Sequence, residues 1–132
     1  MAGYSTTPLH KKLGIKEGMS VWIMNAPPSY RKEIVLAGKL QWGDGHEPSD
    51  FIHLFATTRE VLMEMLPLLR ENMKKAGMIW ISWPKRISSV PTDLDRESIR
   101  EAGLSHELVD IKVCAIDDVW SGLKFVIPKD KR

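Results

Sequence analysis

The chain of 132 residues lacks several features that would place it in a specialised class of protein. It has one cysteine, Cys114, which excludes an internal disulfide and favours the reducing cytoplasm. No stretch approaches the roughly 20 apolar residues of a membrane-spanning helix. Residues 1–13 contain no apolar run of the signal-peptide type. These absences predict a cytoplasmic protein that does not associate with a membrane.

An excess of charge of one sign is also missing. The chain carries 19 basic and 17 acidic residues, and the basic residues are scattered rather than gathered in a stripe. A nucleic-acid partner is therefore not expected, because binding to phosphates needs a basic patch. The four histidines show no ligand spacing with one another or with Cys114, so no metal site is predicted.

Glycine is missing where many nucleotide-binding α/β proteins use it. The segment VWIMNAPPSY, residues 21–30, runs from an apolar strand into Asn25 and then into Pro27 and Pro28. Each proline removes a backbone N–H group and fixes φ. The loop is therefore predicted to be closed to a nucleotide.

What is present is an alternation of strands and helices. Near-continuous apolar runs indicate strands that are covered on both faces, as in a parallel sheet. The last two strands are separated by only three residues, which indicates an antiparallel hairpin. The predicted strands are residues 19–24, 39–42, 51–56, 78–83, 108–116 and 120–127.

Helices are predicted between these strands, each ending near a glycine. The clearest has capping-box spacing at Thr57 and Glu60, two lysines in its last turn and a stop at Gly77. Pro67 inside it should impose a bend. The first predicted helix begins at residue 8. The others cover residues 29–37, 57–75 and 93–102, and Gly103 is expected to stop the last of them.

This pattern predicts a single α/β domain over residues 1–132, with residues 1–6 as a flexible arm. The expected architecture is a three-layer Rossmann-like sandwich. Its sheet is mostly parallel, has five or six strands and ends in a C-terminal antiparallel hairpin.

Two segments resemble class I S-adenosylmethionine-dependent methyltransferases. KLGIKEGMSVWIMN resembles the opening of that fold, where a leader helix and a glycine turn precede the first strand. DFIHLFATTREVLMEMLPLLRENMKKAGMIWISWPK resembles a later strand, helix, glycine turn and strand. The resemblance implies a methyltransferase-like fold and raises the question of its cofactor.

The chain more closely resembles an uncharacterised bacterial family, domain of unknown function 3052. The segments that carry this likeness are GYSTTPLHKKLGIKEGM, NAPPSY, ISWPK and VDIKVCAIDDVWSGLKFV. The resemblance covers the chain from end to end. It implies no established activity, so no catalytic residue is predicted from it.

The methyltransferase resemblance implies S-adenosylmethionine as cofactor, which needs glycines after the first strand and an acidic residue after the second. Asn25, Ala26, Pro27 and Pro28 stand where the glycines would be, so no cofactor is predicted. Acidic residues that could reach the ribose are Asp44 and Glu47.

A smaller site is predicted where the strands end, because ligands of α/β sheets bind beyond the carboxyl ends of the strands. Trp83 and Trp120 could line this site or plug it, and the start of the helix after Thr57 offers N–H groups to an anion. Such a site suits a small anionic molecule, and a protein partner is the other possibility. The predicted ligand-binding residues are Asn25, Thr57, Trp83, Lys85 and Trp120.

The function predicted from these residues is non-enzymatic binding or scaffolding on a degenerate methyltransferase-like fold. The alternative is a divergent S-adenosylmethionine-dependent methyltransferase or another small-molecule enzyme. His53 and Cys114 are interpreted as structural residues, because neither has a catalytic partner nearby in sequence. No catalytic residue is predicted, and the oligomeric state stays open.

Overall fold

The computed structural model describes residues 7–132, so the arm predicted for residues 1–6 lies outside the described residues. The described residues contain a six-stranded sheet with the strand order β2-β1-β3-β4-β6-β5. The strands are β1 (Ser20–Met24), β2 (Gln41–Trp42), β3 (Ser49–Phe55), β4 (Met73–Pro84), β5 (Val109–Ala115) and β6 (Trp120–Val126).

Strand pairing confirms the predicted mixed sheet. Strands β2, β1, β3 and β4 run parallel to one another. Strand β6 is antiparallel to both β4 and β5. Strands β5 and β6 form the predicted C-terminal hairpin. The helices are α1 (Leu9–Leu13), α2 (Tyr30–Ile34), α3 (Arg59–Glu71) and α4 (Arg96–Ser105), with short 3₁₀ helices at Val35–Ala37 and Lys129–Lys131.

Helices cover both faces of the sheet and give the predicted three layers. On one face, α1 and α2 pack with an aromatic core that contains Tyr30, Phe55 and Trp80. On the other face, α3 and α4 pack with an apolar core that includes Leu66 and Phe125. We refer to these as the α1/α2 face and the α3/α4 face.

The boundary between α3 and β4 differs from the prediction. Helix α3 ends at Glu71, and Lys74, Lys75 and Gly77 belong to β4 rather than to a helix end. Lys74 Nζ lies 3.2 Å from Asp50 Oδ1 in the neighbouring strand. A Cβ atom on Gly77 would lie 3.0 Å from the Asp50 carbonyl oxygen, so this glycine permits close strand approach instead of stopping a helix.

The predicted stop of the last helix is also wrong. Helix α4 begins after Asp95, which forms a capping box with Ser98, and it continues through Gly103 to Ser105. A Cβ atom on Gly103 would overlap Phe125 Cε1. Glycine is therefore needed there because α4 packs closely on β6.

Helix α3 starts one residue later than predicted. Thr58, not Thr57, is its N-cap, and Thr58 Oγ1 accepts a hydrogen bond from the Val61 N–H at 3.2 Å. The helix is continuous through Pro67. The bend at this proline stays a prediction.

Candidate functional site

The order in which strands are added to the sheet reverses at β1, because β2 lies on one side of it and β3 on the other. Ligands of open α/β sheets bind at such a switch point, beyond the carboxyl ends of the strands. Asn25 ends β1 in the left-handed conformation, with φ of 60°, and its side chain is exposed. The loop then closes on itself, because the Tyr30 N–H donates to the Pro27 carbonyl at 3.0 Å.

The second strand is too short to bring its acidic residues to this edge. Trp42, the last residue of β2, pairs with Val21, three residues before β1 ends. The connection to β3 is a loop of six residues, 43–48, where a helix would be usual between parallel strands. This crossover loop passes over Trp22, because a Cβ atom on Gly45 would lie 2.5 Å from the indole ring.

Asp44 and Glu47 therefore lie in the crossover loop rather than beside Asn25. They line a cavity together with Ser20 and Ser49, which lie at the amino-terminal ends of β1 and β3. Asp44 is exposed, and its hydrogen bonds from His46 lower the pKa of the carboxyl group. The two acids are thus placed away from the edge where the resemblance implied a ribose.

The start of α3 is not available to an anion in the way the sequence suggested. Asp93 Oδ1 accepts a hydrogen bond from the Arg59 N–H at 2.8 Å, and Thr58 accepts from the N–H of Val61. The Thr57 carbonyl accepts the Thr92 hydroxyl at 2.6 Å. A carboxylate of the chain itself therefore occupies the end of the helix that was predicted to attract a ligand.

Trp83 and Trp120 share the predicted edge but lie on opposite faces of the sheet. The partner of Trp120 in the register is Pro84, and side chains of adjacent residues in a strand alternate between faces. Trp83 is 8% exposed and belongs to the α3/α4 core. Trp120 is half-buried against Phe55 on the α1/α2 face, with ring centroids 5.2 Å apart. The two indoles therefore cannot be the facing walls of one pocket.

A chain of three hydrogen-bonded buried polar groups crosses the α1/α2 core, and it was not predicted from the sequence. His53 is fully buried; its Nδ1 lies 2.6 Å from the Tyr30 hydroxyl and its Nε2 lies 2.7 Å from Ser82 Oγ. Burial lowers the pKa of His53 well below its ordinary value of 6.5. Burial also raises the pKa of Tyr30. Both ring nitrogens are occupied within the core, as expected for a structural histidine.

A cavity of about 680 Å³ opens at the end of β4, between Trp83 and the first turn of α4. Of the five predicted site residues, Trp83 and Lys85 line it; Asn25, Thr57 and Trp120 do not. Sequence reasoning missed Arg86 and Arg96, which also line the cavity. The signal that could have found them is their position, directly after a strand and at the start of a helix.

Other chemistry is sparse in residues 7–132. No group of three or more histidine, cysteine, aspartate or glutamate side chains among them could hold a metal ion. None of the helices in this part of the chain is long and apolar enough to cross a membrane. Cys114 is half-buried, and burial raises the pKa of its thiol, so this cysteine is not an activated nucleophile.

Comparison with solved structures shows the methyltransferase-like fold. An S-adenosylmethionine-dependent methyltransferase from Aquifex aeolicus matches with a TM-score of 0.65 and 16% identity, over 89% of this chain and 87% of that chain. Ribosomal protein L11 methylase from Lactobacillus delbrueckii subsp. bulgaricus matches with 0.58 and 13%, over 90% and 74%. Magnesium protoporphyrin IX methyltransferase from Synechocystis matches with 0.57 and 9%, over 87% and 77%.

No family model and no curated protein matches the sequence. Membership of the domain of unknown function 3052 family therefore stays a prediction. At these identities, the structural matches establish the fold and not the activity. The described residues thus have a Rossmann-like α/β fold similar to that of methyltransferases.

Proposed function

We propose that this protein is a non-enzymatic binding protein on a methyltransferase-like fold that does not use S-adenosylmethionine. The observation that carries the proposal is the early end of β2 opposite Val21, followed by the crossover loop. An acidic residue after the second strand has to reach the carboxyl edge to hold a ribose. The residues after β2 turn back across Trp22 instead.

The loop after β1 supports the same conclusion. Pro27 and Pro28 offer no N–H groups, and the Tyr30 N–H is already bonded to the Pro27 carbonyl. The side chain of Tyr30 is buried in the α1/α2 core directly below this loop. The loop therefore offers fewer N–H groups than a glycine-rich loop would to the charged amino-acid end of the cofactor.

The second candidate is a divergent methyltransferase, or another enzyme acting on a small molecule. The fold similarity favours it, since the matched proteins from Aquifex, Lactobacillus and Synechocystis are methyltransferases. Against it stands the placement of His53, whose two ring nitrogens are bonded inside the core and cannot reach a substrate. A cytoplasmic location, with no nucleic-acid or membrane partner, remains part of the proposal.

Titration calorimetry with S-adenosylmethionine and S-adenosylhomocysteine tests the proposal. We expect no saturable heat at ligand concentrations up to about 1 mM, which limits binding to weaker than about −4 kcal/mol. A dissociation constant in the low micromolar range, about −8 kcal/mol, would contradict it. The Aquifex methyltransferase in the same buffer is the positive control for ligand quality.

Asn25→Gly is the matched variant for that titration. Glycine keeps the left-handed conformation that Asn25 adopts, so the loop should fold unchanged while its polar side chain is lost. If the wild-type protein binds the cofactor and the variant binds it less tightly, the loop after β1 is a working cofactor site. The second candidate function would then replace the first.

A further inference from the structure

We propose that the cavity at the end of β4, called here the β4–α4 cavity, binds a small organic molecule carrying a phosphate or carboxylate group. This inference rests on the proposed function and names the class of ligand. The cavity measures about 680 Å³, within the range of about 300–1,000 Å³ typical of small-molecule sites. It lies at the carboxyl end of a parallel strand, where α/β sheets bind ligands.

One side of the cavity is apolar. Trp83 and Leu94 are buried parts of the α3/α4 core that reach its wall, and Val90 also lines the cavity. An apolar wall of this kind fits the hydrocarbon or ring portion of a ligand. An inorganic ion alone would leave it uncovered.

Three cationic side chains line the same cavity. They belong to Lys85, Arg86 and Arg96, and none of them has an ion pair within 4.0 Å in the part of the chain that the structure describes. Hydrogen bonds with Ser98 lower the pKa of Asp95, and the charge of Arg86 adds to this effect at longer range. Guanidinium groups bind phosphate and carboxylate through paired hydrogen bonds. The polar part of the ligand is therefore expected to be an oxyanion.

Three carboxylates also line the cavity, and two of them are already engaged. Asp93 accepts a hydrogen bond from the Arg59 N–H, and Asp95 accepts one from the Ser98 N–H, both at 2.8 Å. These bonds hold the two carboxylates at the amino-terminal ends of α3 and α4, whose positive dipole ends offset their charge. Glu97 is the remaining acid, and it should weaken anion binding.

The test uses phenyl phosphate, benzoate and benzyl alcohol as probes, with backbone amide NMR of the isotope-labelled full chain. We expect saturable shifts for the amides of Lys85, Arg86 and Arg96 with at least one of the two anions, and none with benzyl alcohol. The anion that binds more tightly identifies the headgroup. Equal binding of benzyl alcohol, or no saturable shift with either anion, would overturn the proposal.

Charge variants separate a built site from general surface attraction. Arg86→Ala and Arg96→Ala should each weaken binding about threefold to tenfold, because each removes a charge-assisted hydrogen bond at an exposed position. Glu97→Gln should tighten binding about twofold. Arg100→Gln removes the same charge from the same helix outside the cavity, where Arg100 pairs with Asp110, and should leave binding unchanged.

Two results would contradict the proposal. One is an Arg100→Gln effect as large as that of Arg96→Ala, which would indicate nonspecific attraction. The other is Glu97→Gln leaving the affinity unchanged or weakening it. If none of these probes binds, the proposal that the protein lacks a cofactor site is unaffected, because cofactor binding is measured in a separate titration.

Discussion

The two faces of the sheet are built differently. The α1/α2 face buries aromatic rings around the hydrogen-bonded chain of Tyr30, His53 and Ser82. The α3/α4 face has an apolar interior and opens at its rim into the β4–α4 cavity. The difference is that the loop after β1 ends in Tyr30, whose side chain is buried and hydrogen-bonded in the core, whereas the end of β4 borders a larger cavity lined by cationic side chains.

The comparison also separates structural polar groups from groups that can meet a ligand. His53 and Ser82 are fully buried and hydrogen-bonded to each other, so neither side chain is available to a ligand. Lys85 is half-buried at the cavity, and Arg86 and Arg96 are exposed there. A polar residue on this fold therefore has to be judged by its contacts rather than by its type.

Trp80→Ala should produce the largest effect and tests the α1/α2 core. Trp80 is fully buried, and its indole N–H donates to the Leu13 carbonyl at 2.9 Å. Loss of the ring should lower the free energy of unfolding by about 3–5 kcal/mol, and the orphaned carbonyl should add about 1–3 kcal/mol. Urea denaturation measures it. Phe125→Ala, on the opposite face, is the control, and a larger loss there would contradict the comparison.

Trp120→Ala should be milder. Trp120 is half-buried and makes an edge contact with Phe55, so the expected loss of unfolding free energy is about 2 kcal/mol, below the range for a buried tryptophan. Because Trp120 lies outside the β4–α4 cavity, the amide NMR shift produced by the more tightly binding of phenyl phosphate and benzoate should persist. If that shift disappears, Trp120 belongs to a ligand site after all.

Gly103→Ala tests the close packing on the α3/α4 face. The added methyl group would overlap Phe125, which should destabilise the protein by about 1–3 kcal/mol, while alanine in a helix returns about 1 kcal/mol. The expected net loss is about 0–2 kcal/mol. In a Phe125→Leu background the same substitution should have a smaller effect. An equal effect in both backgrounds would mean that the ring is not what excludes the methyl group.

Acid should lower the free energy of unfolding through His53 on the α1/α2 face. Because the pKa of His53 in the folded protein is depressed, the unfolded chain takes up the proton more readily as the pH falls below about 6.5. The contribution of neutral His53 to the free energy of unfolding is therefore fully present at higher pH. About 1 kcal/mol of that free energy should be lost between about pH 7 and pH 5.5. His53→Gln should lose this dependence, whereas His46→Gln, an exposed position, should keep it. Unchanged pH dependence in His53→Gln would contradict the assignment.

Much of the fold could be predicted from the sequence, because apolar runs and their spacing report burial directly. The first strand, the C-terminal hairpin and the three layers were all predicted correctly. The end of α3 was not, because Lys74, Lys75 and Gly77 make a good helix end locally and are held in β4 by Asp50 and its strand. Local preference yielded to strand pairing there.

Only part of the candidate site was predicted from the sequence. Trp83 and Lys85 line the β4–α4 cavity, whereas Trp120 points to the other face because it pairs with Pro84 rather than with Trp83. A shift of one residue in the register reverses the face, and the length of a turn does not determine that register. The partners of His53 could not be predicted either, since Tyr30 and Ser82 come from distant parts of the chain.

The central claim is that the carboxyl edge of the sheet has no S-adenosylmethionine site after β1 and has a small-molecule site after β4. Backbone amide NMR tests it most directly, with S-adenosylhomocysteine and then the more tightly binding of phenyl phosphate and benzoate titrated into the wild-type protein. We predict no shift at Asn25, Ala26 or Tyr30 with the first ligand, and saturable shifts at Lys85, Arg86 and Arg96 with the second. Saturable shifts at Asn25 and Ala26 with S-adenosylhomocysteine, and none around the β4–α4 cavity with either anion, would contradict it.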